Sequence, residues 1–336
     1  MARRRRPALV TGDLPPPGPV LLEELACVWI EVPGLDDAAE RFQRLLGLQL
    51  RGTGLLNEEF EAFWNVRPSV TDRRWALLGP PGFPYGMVCL VAGTARPVRH
   101  TLPRGWDSVE LVVEDVDAAA ARLAEWPGAV PVVRPFTADL SSMGSNVHRS
   151  TVWRMPWGTH LVLTTGITQP AGRRFPWAES GTGPVFEVHL RTDAYAEAHR
   201  LYARTLAMPP LMSEEFTSGP VHEAWGIEPG TRVRMSLLKS GREGTGRGAI
   251  ELQGHPRAAI DPPSGDGLLP GGTVMVTYAC ADVDAAHAAV LAGGHRAGPV
   301  RVTGAGPLGD RRSFMVFGVE GERVHIVEHD TKGSMP

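Results

Sequence analysis

Cysteine, tyrosine, long apolar runs and an excess of charge are all scarce in this sequence, and each scarcity removes a class of protein. Cysteine occurs three times in 336 residues, at Cys27, Cys89 and Cys280. A small odd number in a long chain excludes a disulfide framework and implies a reducing compartment, so the expected location is cytoplasmic. No apolar run approaches the ~20 residues that cross a bilayer, and the Arg3–Arg6 run is not followed by the apolar core of a signal peptide. No membrane partner is expected. Basic and acidic residues number 34 and 37, for a net charge of −3, which provides no electrostatic footprint for nucleic acid. P-loop, CxxC zinc-pair and G-x-S-x-G elements are absent, so serine-hydrolase and nucleotide chemistry lack support and no nucleotide cofactor is expected.

What is present is an ordinary globular composition, 43% hydrophobic and 21% charged, with enough apolar material for two cores. The length suggests two domains. The most informative stretch is GPVFEVHLRTDAYAEAHRLYARTLAM, from Gly183 to Met208. It opens with period-2 alternation, Val188 and Leu190 on one side and Glu187, His189 and Arg191 on the other, as in a half-buried strand. From Asp193, an expected N-cap, the period becomes helical, and Pro209-Pro210 ends the helix.

The stretch recurs. CVWIEVPGLDDAAERFQRLLGL starts at Cys27, SVELVVEDVDAAAARLAEW at Ser108 and MVTYACADVDAAHAAVLAGG at Met275. NEEFEAFWNV from Asn57 answers SEEFTSGPVHEAWGI from Ser213, and HRSTVWRMPWGTHLVL from His148 answers RRSFMVFGVEGERVHIV from Arg311. Matching positions lie roughly 160 residues apart, the signature of a tandem duplication. Helices are expected over 36–46, closed by Gly47, and over 58–64, 116–125 and 283–291. Strands are expected to complete each unit, ending at 87–91, 159–164, 249–253 and 323–329. The Gly/Pro-rich 166–183 reads as a linker.

Four βαβββ-like units, the Leu45-Leu46-Gly47 helix end, and the final strands Ile250-Glu251-Leu252 and Val324 to Glu328 resemble the vicinal oxygen chelate superfamily, the glyoxalase, bleomycin-resistance and extradiol-dioxygenase group. The resemblance implies an α+β fold of four βαβββ modules paired into two open-barrel domains. With sequential pairing these are an N-terminal domain over 22–165 and a C-terminal domain over 184–330, with a disordered tail at 1–21 and a short one at 331–336. The alternative pairs modules one and four, which would bring His325 to Cys27 and Cys89, and Glu187 and Glu251 to Ser108 and Val162. Sequential pairing gives the more coherent cluster and is the expectation.

The resemblance also implies that ligand positions sit at the start of the first strand and the middle of the last strand of each module. In the N-terminal half they hold Cys27, Cys89, Ser108 and Val162, which read as small residues filling a cup without ligands. In the C-terminal half they hold Glu187, Glu251, Met275 and His325. Carboxylates forced together in a desolvated cup need either a cation or a proton. The expected metal ligands are therefore Glu187, Glu251 and His325, for Mn, Fe, Co, Ni or Zn. Met275, a poor ligand for a hard cation, is expected to line the substrate site with Arg191 and Trp225. Glu187, Glu251 and His189 are the expected acid-base residues. Trp64 is the counterpart of Trp225.

Function follows as a set of expectations. The first is a lyase, isomerase or cyclase acting on a small oxygenated molecule in specialised metabolism, such as antibiotic biosynthesis, in a monomer or homodimer. The second is a metal-free protein that sequesters a small molecule. The third is an Fe(II) dioxygenase, disfavoured because Glu187 and Met275 occupy positions where histidine would be needed.

Overall fold

The computed structural model describes residues 20–56, 58–65, 73–93, 104–141, 146–168, 178, 181–219, 227–241, 247–256, 272–303 and 306–329. Most of the expected tails and linker, and Trp225, lie outside these residues.

Four modules are present. The first comprises β1 (Glu24–Val32), α1 (Leu35–Leu46), β2 (Gln49–Leu56), α2 (Glu58–Phe63), β3 (Arg73–Gly79) and β4 (Met87–Ala92). The second comprises β5 (Gly105–Val113), α3 (Val116–Leu123), β6 (Val130–Asp139), β7 (Val147–Arg154) and β8 (His160–Gly166). The third comprises β9 (Thr182–Thr192), α4 (Tyr195–His199), which continues as a π-helical turn over Arg200–Thr205, then β10 (Pro210–Thr217), β11 (Arg232–Lys239) and β12 (Ala249–Gly254). The fourth comprises β13 (Gly272–Cys280), α5 (Val283–Ala292), β14 (Arg296–Ala297), β15 (Arg301–Thr303), β16 (Arg311–Phe317) and β17 (Arg323–Glu328).

Local chemistry explains the recurring strand-to-helix step. Asp115 and Asp282, both extended, accept hydrogen bonds from the Ala118 and Ala285 amides and so satisfy otherwise orphaned donors. Gly47 adopts φ 71 as α1 ends, a left-handed conformation that glycine takes at no steric cost. Module three departs from the expectation. Asp193 does not cap α4 but pairs with Arg104 at 2.9 Å, and Thr192 Oγ1 accepts from the Ala194 amide instead.

The strands form two curled sheets. One runs β14-β16-β17-β13-β1-β4-β3-β2, with β15 on β16; the other runs β10-β11-β12-β9-β5-β8-β7-β6. The first joins modules one and four through antiparallel β1–β13, and the second joins modules two and three through antiparallel β5–β9. Sequential pairing is therefore corrected: each sheet draws strands from both halves of the sequence. The physical reason lies in the first strands. Those of modules two and three, β5 and β9, form the most extensive strand-to-strand contact among the described residues, and those of modules one and four form a similar seam.

Both sheets turn one face to the helices. Val28 and Ile30, Val109 and Leu111, Val188 and Leu190, and Val276 and Tyr278 alternate onto that face and share a single core with Phe42, Leu123, Leu201 and Val290 of the helical segments. The opposite faces are the cups, and they differ in kind. That of the first sheet is filled by Cys27, Trp29, Trp64, Cys89, Met275 and Met315. That of the second carries most of the buried charge discussed below.

Candidate active site

At the centre of the second sheet, Glu110 of β5 stands directly opposite Glu187 of β9. Three irregularities mark this seam, two of them beside the Glu110–Glu187 pair. Asp107 and Ser108 together oppose His189, and Phe186 is an extra residue between Glu187 and Val185, so the ladder bends where its polar side chains converge. His189, two residues along the same face, brings Nε2 to 3.4 Å from Glu110 Oε2 and 3.6 Å from Glu187 Oε1. Among the described residues, Glu110, Glu187 and His189 each offer a ligand atom, all within 4.8 Å of one another. All three are buried.

Neighbouring strands complete the face. Thr164 of β8 donates a short hydrogen bond to Glu110 Oε1 and lies 2.6 Å from Ser150 Oγ. Glu251 of β12 is in register with His189 and accepts a short hydrogen bond from Gln253 Nε2. Gln253 Oε1 accepts in turn from Arg191 Nε at 3.0 Å and from the His255 ring at 3.1 Å. Arg191, fully buried, makes a close ion pair with Asp107, itself fully buried. Asp107 also accepts from His160 Nδ1 at 2.8 Å and from Ser108 Oγ at 2.7 Å.

The charges respond to one another. Burial, then the adjacent Glu110 charge, pushes the Glu187 carboxyl up to about 8. Burial also works against ionised Glu110, but hydrogen bonds from His189 and Thr164 outweigh it and hold that group below its ordinary value. Burial opposes a cation at His189, yet the Glu251, Glu110 and Glu187 carboxylates together raise it well above the usual imidazole range. Two carboxylates thus share one buried site with one imidazolium, and the second carboxylate holds a proton. Asp107, despite burial, is held low by Arg191 and His160.

The structure sorts the expected residues. Glu187, His189, Glu251 and Arg191 share this face, but Arg191 is engaged with Asp107 and Gln253. Met275 and His325 are in the first sheet, where Met275 faces Trp29 across β1–β13 and His325 flanks Thr277. The expected metal set is corrected accordingly: His325 lies on a different sheet from Glu187 and Glu251, because modules three and four do not pair. Trp64 is core, packed edge-on to Trp29 at 5.1 Å. Glu110 was missed by the sequence reading, which stopped at Ser108. By the pseudo-two-fold of the β5–β9 seam, Glu110 is the counterpart of His189, and the period-2 rule applied from Ser108 reaches it.

Neither a family model nor a curated protein matches this sequence. Solved structures do. Glyoxalase I from Zea mays superposes with a TM-score of 0.59 at 16% identity, over 91% of this chain and 92% of that one. A dioxygenase candidate from Bacillus subtilis superposes with a TM-score of 0.60 at 12% identity, over 94% and 87%. The chain therefore shares the fold of these two proteins over 91–94% of its length. None of the described helices is long and apolar enough to cross a membrane.

Proposed function

We propose that the polar cup of the second sheet is the active site of a lyase, isomerase or cyclase that acts on a small oxygenated organic molecule with the help of a divalent metal. The observation that carries this reading is the convergence of Glu110, Glu187 and His189. The donor set fits a cation: two carboxylates and an imidazole are ligands for Mn, Fe, Co, Ni or Zn. The fit is also electrostatic, since a cation held by these residues would replace the proton that burial and the neighbouring Glu110 charge keep on Glu187. Bound there, the metal would supply a Lewis acid for a carbonyl or enolate oxygen.

The chain's own groups would do the rest. Glu251, beside His189 and outside the trio, is the base that takes a proton from carbon or oxygen of the substrate. Gln253 donates to it and fixes its orientation. The Arg191–Asp107 pair anchors Gln253 in turn, so Arg191 positions rather than binds. Thr164 holds Glu110 with one oxygen turned toward His189.

A second reading has its own observation. His189 already lies between both carboxylates and could serve as their counter-cation without a metal, which would suit a protein that sequesters a small polar ligand. The experiment separating the two is metal analysis of protein purified without chelator. About one equivalent of metal is expected, lost in Glu187→Gln and in His189→Ala and kept in His325→Ala. Metal-free protein that no added divalent ion activates would overturn the Lewis-acid mechanism in favour of sequestration.

A further inference from the structure

A single register line crosses the second sheet from its charged centre to its edge. His189 of β9 stands beside Glu251 of β12, Glu251 opposite Leu237 of β11, and Leu237 opposite Met212 of β10. Residues paired across a ladder project from the same face, so this row passes from the trio to the base and on to two apolar side chains. The next row makes the same change, from Arg191 and Gln253 to Met235, with Glu214 beyond. The other face of the outer strands is accounted for. Ser236 Oγ lies 2.6 Å from Ser213 Oγ and 2.5 Å from the Tyr195 hydroxyl of α4. Met212, Met235 and Leu237 therefore look into the cup.

These three side chains differ from the other apolar residues that flank the charged centre. Each is half-buried, and none belongs to an apolar cluster of the described residues. On the opposite flank, Glu110 is in register with Val162, and Val162 with Val152. There Ile227 packs with the two valines and leaves the three residues only 2–4% exposed. The chain's own side chains thus close the cup on the Glu110 side, whereas an apolar strip stays within reach of solvent on the Glu251 side. Apolar surface kept accessible inside a concave polar site is where the apolar part of a ligand is buried. Two of the three side chains are thioethers, unbranched and able to follow an irregular shape.

The order along the row carries the chemistry. Glu251 stands between the trio and the strip, one strand spacing of about 4.8 Å from its neighbour on either side. A ketone whose oxygen points to the trio and whose substituent lies on the strip has the carbon between them over Glu251. Glu214, half-buried opposite Met235, closes the far end of the strip with a second carboxyl group.

We propose that the substrate is a neutral enolisable ketone whose acidic carbon bears an apolar substituent, and that Leu237, Met235 and Met212 hold that substituent so that the carbon lies over Glu251. The proposal rests on the assignment of the polar cup as the active site, and names the substrate class for it. Glu251 takes the proton from the carbon: the C–H bond breaks, its electron pair forms the C=C bond of the enolate, and the carbonyl π pair moves to oxygen. The same proton goes back from Glu251 to carbon or to the enolate oxygen, so the step needs no co-reactant. A substituent ending in a carboxylate is rejected, because it would lie between Glu251 and Glu214.

The test uses the full chain loaded with cobalt(II) and three hydroxamates, which present the two oxygens of an enolate-like chelate. Acetohydroxamate has no substituent, 4-methylpentanohydroxamate has a branched apolar one, and succinate monohydroxamate has the same shape as the branched probe with a carboxylate in place of the isopropyl group. Binding is followed by the cobalt absorption and by the carbon-13 methyl signals of methionine. The branched probe is expected to bind about tenfold or more tighter than acetohydroxamate and to shift the Met212 and Met235 signals. Succinate monohydroxamate is expected to bind no better than acetohydroxamate. In Leu237→Thr and Met212→Thr the preference for the branched probe should fall while cobalt content stays at the parent value. Both replacements suit a strand and touch no apolar cluster. Cobalt uptake with equal affinity for the three probes overturns the proposal alone, as do methionine signals that do not move or a carboxylate probe that binds as tightly as the branched one. Failure to take up cobalt overturns the active-site reading and the proposal with it. The methionine readout needs no variant and holds even where a substitution impairs folding.

Discussion

Glu110 and Glu187 face each other across the β5–β9 ladder, one from each half of the chain, with the His189 imidazole reaching 3.4 Å from the first and 3.6 Å from the second. Neither half alone contains the pair. Whatever occupies this cup must satisfy two carboxylates that burial and mutual repulsion keep from being ionised together.

The first prediction follows from that repulsion. The folded value of Glu187, about 8, lies above its ordinary 4.5, so the folded state binds the proton more tightly than the unfolded state. The stability this contributes is fully present below the unfolded value and is lost as pH rises through about 8. Metal-free protein should therefore melt progressively lower between pH 6 and 9. Glu187→Gln, which keeps shape without the titration, should flatten that slope, and a bound divalent ion should flatten it in the parent. A parent melting curve independent of pH across this window would contradict the coupling.

Asp107 tests the layer beneath. It is fully buried and accepts from Arg191, His160 and Ser108 at once. Asp107→Ala would leave the Arg191 guanidinium buried without its counter-charge, a change that costs about 3–5 kcal/mol. Urea denaturation should show a lower midpoint at unchanged slope. A loss below about 1 kcal/mol would mean that Arg191 is compensated elsewhere.

Much of this architecture was legible in the sequence, and the part that was not has a physical cause. The strand-acid-helix step is local: Asp115, Asp282 and Gly47 act on their own neighbours, and their roles follow from residue type and spacing. Alternation put Glu187 and His189 on one face of their strand, and the family resemblance added Glu251. Pairing of modules is a long-range choice between four similar first strands, and no local pattern distinguishes β9–β5 from β9–β13. That choice moved His325 from the charged cup to the apolar one, where Trp29 and Phe63 surround it. Glu110 was missed because only the family position, Ser108, was taken from β5, although alternation from Ser108 reaches Glu110; what the sequence did not reveal was that a bulge at Asp107 and Ser108 sets Glu110 opposite Glu187.

Glu251 carries the assignment of the base. It lies beside His189 but outside the ligating trio, so Glu251→Gln should retain about one equivalent of metal while turnover falls by about 10²–10⁴-fold, the usual worth of positioned proton transfer. The same variant keeps the Gln253 contact within reach and should not unfold. Loss of metal together with activity would place Glu251 among the ligands instead.

The last prediction concerns the joint between the two sheets. Glu322, at the β16–β17 turn of the first sheet, accepts from the Tyr202 hydroxyl at 2.7 Å and from the Glu320 amide at 2.8 Å. Tyr202 belongs to module three, so this carboxyl ties the first sheet to the helical segment that covers the second. Glu320 extends the tie, accepting from Thr192 Oγ1 at 2.5 Å and from Arg104 at 3.5 Å. The backbone at Gly318 approaches Glu322 so closely that a Cβ would collide with the carboxylate. Burial is the main force on Glu322 and raises it to about 7, against the hydrogen bonds that would lower it. A carboxyl raised from 4.5 to about 7 stabilises the fold below the unfolded value, and that stability is lost as pH rises through 7. At pH 8 ionisation therefore costs up to about 3 kcal/mol, at 1.36 kcal/mol per pKa unit. Glu322→Gln removes the titration while preserving an acceptor for Tyr202. The variant should be more stable than the parent at pH 8, by up to that amount, and the difference should vanish near pH 4.5. Chemical denaturation at the two pH values decides it: a variant less stable than the parent at pH 8 would mean that the ionised carboxylate holds the joint together.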